Sequence, residues 1–169
     1  MLEVNPFPNV ILGDWGKNTV KLDFDEFDLR EVKWLVHRTN YWFKLDGFLI
    51  LESSTKTLRA KDKKSGKIFY RFKKKSYHAV FNRRVSWFEN TRIMAWVSME
   101  SHNEKLKDYV LMQILKGSST LRLSNKGKKP LPKPIFRHGN QDKQIAEFFD
   151  TKKFAEDFLR NHNGGDTNG

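Results

Sequence analysis

Asp23 and Asp25 flank Phe24 at the end of a stretch, NTVKLDF, in which apolar and polar residues alternate. Such alternation predicts a strand, and residues two apart on a strand share a face, so the two carboxylates converge. Converging carboxylates stay ionised cheaply when a divalent ion, Mg²⁺ or Mn²⁺, sits between them. Glu26 and Asp28 extend the acidic run, a pattern that also suits a helix N-terminus. Ser76-Tyr77-His78 repeats the spacing with a hydroxyl and an imidazole. Residues two apart on a strand point in parallel, toward a shared phosphate rather than at each other as a nucleophile and its base would. Arg122 lies in Thr120-Leu121-Arg122-Leu123, with Lys126 just beyond, a candidate phosphate clamp.

A second feature is electrostatic. Between Lys56 and Lys75 ten residues are basic and only Asp62 is acidic, so this window holds +9 of the chain's +12. Lys61, Lys63, Lys64, Lys67, Arg71, Lys73, Lys74 and Lys75 are its candidate phosphate contacts, with Phe69, Tyr70 and Phe72 among them. Cations meet phosphates while flat rings stack on bases, so the expected partner is nucleic acid, single-stranded or template DNA. The window lacks a helical apolar face, which argues against a membrane partner.

The elements that would position these residues follow from pattern. Thr57–Ala60 and Lys67–Phe72 read as the arms of a hairpin around Ser65-Gly66, and Tyr77–Phe81 as its continuation into the body. Phe48–Leu51, after Asp46-Gly47, reads as a buried strand. Asp28 is placed to cap a helix through about Arg38, and Ser86 with Glu89 forms a capping box for a helix through about Glu100. Asn103 is expected to cap a short helical turn, with Val110–Leu115 and Thr120–Leu123 as two further strands. Ile135-Phe136 follows a proline-spaced loop as a last strand, and Gln141–Leu159 is amphipathic. The expected fold is α+β: one domain with a mixed or antiparallel sheet flanked by helices. It divides into an extended segment (1–17), a core (18–137) with the basic insertion 55–75, a helical segment (140–161) and a disordered tail (162–169).

In their order, Asp23-Phe24-Asp25, Ser76-Tyr77-His78 and Thr120-Leu121-Arg122-Leu123-Ser124-Asn125-Lys126 resemble the motifs of the archaeo-eukaryotic primase superfamily. More narrowly, the chain is similar to small primase-related proteins of archaeal plasmids and viruses. The resemblance spans about residues 18–137 and implies a primase-like (RRM-like) core. It implies metal-dependent nucleotidyl transfer on a DNA template in replication of a mobile element. Asp23 and Asp25 would hold Mg²⁺ or Mn²⁺, Ser76 and His78 would contact the incoming nucleoside triphosphate, and Arg122 and Lys126 its phosphates. The family's third motif carries an acid on a strand shortly before the Arg-containing segment. Gln113 stands there in this chain, a metal ligand without charge. The alternative is therefore a non-catalytic, primase-like accessory that binds nucleic acid alongside other replication proteins. A metal nuclease built on Asp46, Glu52 and Lys56 ranks last.

Composition narrows the field. The 169 residues include 14 Phe, 5 Trp and 4 Tyr but no Cys, enough aromatic mass for a core and no thiolate chemistry. There is no apolar run of membrane-spanning length, and the first residues lack a signal peptide's order. A soluble, cytoplasmic protein is expected.

Overall fold

The computed structural model describes residues 13–123 and 130–163. In chain order the elements are β1 (Gly13–Gly16), β2 (Thr19–Phe27), α1 (Leu29–Phe43), β3 (Gly47–Lys61), β4 (Ile68–Arg84) and α2 (Trp87–Ser101). They continue with α3 (Glu104–Lys116), β5 (Ser119–Arg122), β6 (Lys133–Gly139) and α4 (Gln144–Asn163). The fold is α+β in one domain. Four strands form an antiparallel sheet in the order β2-β4-β3-β6, and β1 pairs with β5 as a separate two-stranded ribbon.

Strand alternation divides the apolar residues between two faces of the sheet. Val20, Leu22 and Phe24 of β2 and Tyr77, Ala79 and Phe81 of β4 face one side, where α1, α2 and α3 close over them through residues such as Leu35, Ile93 and Val110. Leu49 and Leu51 of β3 and Val80 of β4 face the other, covered by Leu121, Leu123 and α4 residues Ile145, Phe148 and Ala155. Asn82 fixes the start of α4, its side-chain oxygen accepting from the N–H groups of Lys143 (3.0 Å) and Ile145 (3.4 Å). The helical segment 140–161 thus contributes to this core.

Local chemistry sets the helix limits. Asp28 accepts from the Arg30 N–H at 2.8 Å, opening α1. That helix runs past Arg38 to Phe43, where Lys44 ends it in the left-handed conformation (φ 50°) with its N–H turned back to the Tyr41 carbonyl (3.4 Å). Ser86 accepts from the Glu89 N–H at 3.1 Å and opens α2. Gly47 and Gly139 oppose each other at the β3–β6 end with φ of 131° and 68°. A Cβ on Gly139 would lie 2.8 Å from the Gly47 Cα, so only glycine lets these backbones meet.

Several sequence expectations change. Val110–Leu115 is not a strand but the end of helix α3, whose buried residues Leu106, Val110 and Gln113 recur at helical spacing. Asn103 caps that whole helix through the N–H groups of Lys105 and Leu106, not a single turn. Helix α4 carries through residues 162 and 163, which the sequence assigns to the tail. The rest of both termini lies outside the described residues. Among the described residues, no helix is long and apolar enough to cross a membrane.

Candidate functional site

Asp23 and His78 are directly opposite one another on β2 and β4. Their side chains lie on the sheet face away from α1 and α2, with His78 Nε2 3.6 Å from Asp23 Oδ1. The imidazole is almost wholly withdrawn from solvent while the carboxylate stays part-exposed. Asp25 is exposed two residues further along β2. Arg122 leaves β5 and reaches across this face, donating to the Ser53 carbonyl on β3 (2.6 Å) and to the Pro130 carbonyl (2.9 Å). Burial pulls its pKa below the ordinary arginine value, and the negative charges of Asp23 and Asp25 push the other way. Four of the residues singled out by spacing (Asp23, Asp25, His78 and Arg122) therefore meet on one face.

Others do not join them as expected. The Ser76 hydroxyl accepts from the Glu26 N–H at 3.2 Å. It pins the bulge between Phe24 and Phe27, where Glu26 takes a left-handed φ of 60°. Gln113 lies on α3, 4% exposed, and its side-chain oxygen accepts from the Thr120 N–H at 3.0 Å. It ties the end of α3 to β5 and is a structural residue, not a strand-borne ligand beside the carboxylates. Lys126 lies outside the described residues. Asp46 pairs with Lys143 and Glu52 with Lys75, each at 2.8 Å, so the ingredients of the nuclease reading are held in separate ion pairs.

The donor set bears on the divalent ion that the primase resemblance implies. Two carboxylates are present, but a guanidinium and an imidazole already share their field, and the expected third donor is elsewhere. Among the described residues, no group of three His, Asp or Glu is placed to hold a metal ion. The set does not fit a two-ion centre, which needs a surplus of anionic oxygen ligands. What it can do is hold a polar or charged ligand between a part-exposed carboxylate pair and a positioned guanidinium.

Tyr109 is a neighbour that sequence reasoning missed. Its hydroxyl lies 3.2 Å from the Lys21 carbonyl and 3.3 Å from the Thr120 carbonyl, bridging β2 and β5 beneath the site. Burial, and then the charge of Asp23, raise its pKa well above 10. Its signal was helical periodicity, since Leu106, Tyr109, Val110 and Gln113 share one side of a helix.

The basic window is one continuous structure with the sheet. β3 and β4 stay paired from Phe48↔Phe81 out to Lys61↔Ile68. Beyond Glu52 and Lys75, neither β2 nor β6 pairs with them. The last six residues of β3 thus form a two-stranded arm, roughly 20 Å long at the usual rise per residue. At its tip Asp62, the acid of the window, accepts from the N–H groups of Lys64 and Ser65, both at 3.1 Å. A bond from the Ser65 hydroxyl, and then these two, hold its pKa below the ordinary value. Lys63, Lys64, Lys67 and Lys73 are exposed, and Lys61 and Arg71 belong to the arm by register. Lys74 and Lys75 are instead engaged at its root, by Glu26 (3.4 Å) and Glu52 (2.8 Å). Register also sets basic residues at opposite positions, Lys56↔Lys74 and Arg59↔Arg71, the first pair sharing Glu26.

Compared with known families, curated proteins and solved structures, the chain has no match. The primase resemblance rests on the short motifs themselves.

Proposed function

We propose that the protein binds nucleic acid through the β3–β4 arm, as a replication accessory that holds single-stranded or template DNA. The observation that carries this reading is the set of exposed cations Lys63, Lys64, Lys67 and Lys73 on a ribbon that neither β2 nor β6 flanks. Exposed cations of one sign repel one another, and a polyanion laid along the ribbon neutralises them. Replacing Lys63, Lys64, Lys67 and Lys73 together by Ala leaves the root ion pairs intact and tests it. Anisotropy of a labelled single-stranded oligonucleotide across a salt series should show weaker binding. The log–log salt slope should fall by about 0.7 for each phosphate that is no longer neutralised. Unchanged affinity and slope would sink the reading.

A second reading, primase-like nucleotidyl transfer with a nucleoside triphosphate, is favoured by the meeting of Asp23, Asp25, His78 and Arg122 on one face. Its weakness is the donor set, in which Gln113 supplies no ligand. Template-dependent incorporation that disappears in both Asp23→Asn and Asp25→Asn would establish it over simple binding.

A further inference from the structure

The outer side of α1 carries rings where a solvated helix would carry charge. Val32, Leu35, Val36 and Thr39 turn inward, which leaves Arg30, Trp34, Arg38 and Tyr41 as a stripe along the opposite side. Trp34 is 49% exposed and Tyr41 78%, with Trp42 beside the stripe at 62%. Trp34 is held in place. The Arg38 guanidinium lies over its ring, 4.7 Å from the centroid, and stands 5.8 Å from the Trp96 ring of α2. Glu100 fixes that guanidinium in turn, at 3.3 Å. The indole is thus backed by a cation while much of its surface stays in water. Several large rings left exposed side by side mark a surface that meets a partner.

We infer that this stripe is a stacking platform for single-stranded nucleic acid, continuing the track of the β3–β4 arm; the inference rests on the nucleic-acid reading of that arm. Lys73 shares the β4 face of Tyr77, and that face is the one α1 covers. The start of α1 and the root of the arm border one recess of about 370 Å³, with Asp28 and Leu29 on one side and Lys73 and Lys75 on the other. From there the stripe from Arg30 to Tyr41 runs about 16 Å at the helical rise per residue. Chemistry selects the ligand. Arg30 and Arg38 are engaged by Asp28 (3.5 Å) and Glu100, so what α1 chiefly adds is flat ring surface, which stacks on any base. Lys33, over the Phe136 ring at 4.4 Å, and the exposed Lys44 have no carboxylate partner among the described residues, and both suit the phosphates between stacked bases. A duplex keeps its bases stacked on one another, so the platform takes single strands. A second copy of this chain is a poorer occupant, since it would bring +12 against +12.

The test uses the full chain and oligothymidylate. Both rings are exposed, so Trp34→Ala/Tyr41→Ala and Trp34→Phe/Tyr41→Phe should melt like wild type. The Ala pair should bind at least about fivefold more weakly for each ring lost, the lower end of what a base–aromatic stack contributes. The Phe pair should recover most of that loss. The log–log salt slope should keep its wild-type value in both, because no phosphate contact has been removed. Oligothymidylate should quench the tryptophan fluorescence of wild type, a duplex of the same length should not, and Trp34→Phe should shrink the quench. An Ala pair that binds like wild type overturns the proposal, as does a loss that the Phe pair does not restore or an equal quench by single strand and duplex. A dimer of the wild type that the Ala pair does not form, with oligonucleotide affinity unchanged, would overturn it too and make the face an interface between copies. Failure of the arm reading looks different: the quadruple lysine variant then keeps both affinity and slope, whatever the ring variants do.

Discussion

Gln113 shows how one side chain can be assigned to chemistry by its neighbours in sequence and to architecture by its neighbours in space. Its oxygen satisfies the Thr120 N–H at the point where α3 gives way to β5. Gln113→Leu keeps the volume but strands that N–H away from water, which should cost about 1–3 kcal/mol in urea unfolding. Gln113→Asp restores the acid that the primase resemblance asks for. It is one methylene too short to reach Thr120 and introduces a charge at a buried position. It should lose stability to a similar extent without gaining Mn²⁺ affinity in calorimetry. Tighter Mn²⁺ binding by this variant would return residue 113 to the site.

The arm is an element whose root matters as much as its tip. Glu26 accepts ion pairs from Lys56 (3.5 Å) and Lys74 (3.4 Å) of the arm and from Lys105 (2.9 Å) of α3. The hydrogen bond from Lys105, opposed by burial and assisted by the charges of Lys105 and Lys56 and a bond from Lys74, lowers its pKa from 4.5 to about 2. The unfolded chain protonates this carboxyl near 4.5, whereas the native chain keeps it ionised down to about 2. Its contribution to stability is therefore whole above pH 4.5 and is lost as pH falls through that window to about 2. Glu26→Gln should flatten the acid limb of stability against pH, measured by thermal melts from pH 7 to pH 2. At neutral pH the loss should stay within about 1 kcal/mol per exposed pair. Oligonucleotide affinity should rise, because a carboxylate beside the phosphate track has been removed. An unaltered acid limb would show that these lysines do not hold the carboxylate in solution.

For the molecule as a whole, the consequential feature is that both faces of one sheet are covered. Phe148 of α4 is 2% exposed and packs with Leu49, Leu51 and Val80. Phe148→Ala should cost about 3–5 kcal/mol. It should lower the midpoint of a single unfolding transition seen equally by far-ultraviolet dichroism and tryptophan fluorescence. Two separated transitions would mean that α4 folds as its own unit.

Strands β2, β3 and β4 and helices α1 and α2 were legible because their signals are local. Period-2 alternation, a capping Asp28 and the Ser86–Glu89 box each act within a few residues. The run Val110–Leu115 was not legible as a helix. An apolar run broken only by Gln113 shows no clear period, and four of its residues, Leu111, Met112, Ile114 and Leu115, are exposed where a buried strand would hide them. The sequence by itself determined the α+β composition, the shared face of Asp23 and Asp25, and the concentration of charge in one hairpin, since all three follow from spacing along the chain. Only the tertiary structure decided that Asp23 faces His78, that Arg122 reaches across to Ser53, and that Ser76 and Gln113 are committed to backbone N–H groups. Those outcomes depend on strand register and on which face α4 and β5 cover, and both are set by burial between residues tens of positions apart.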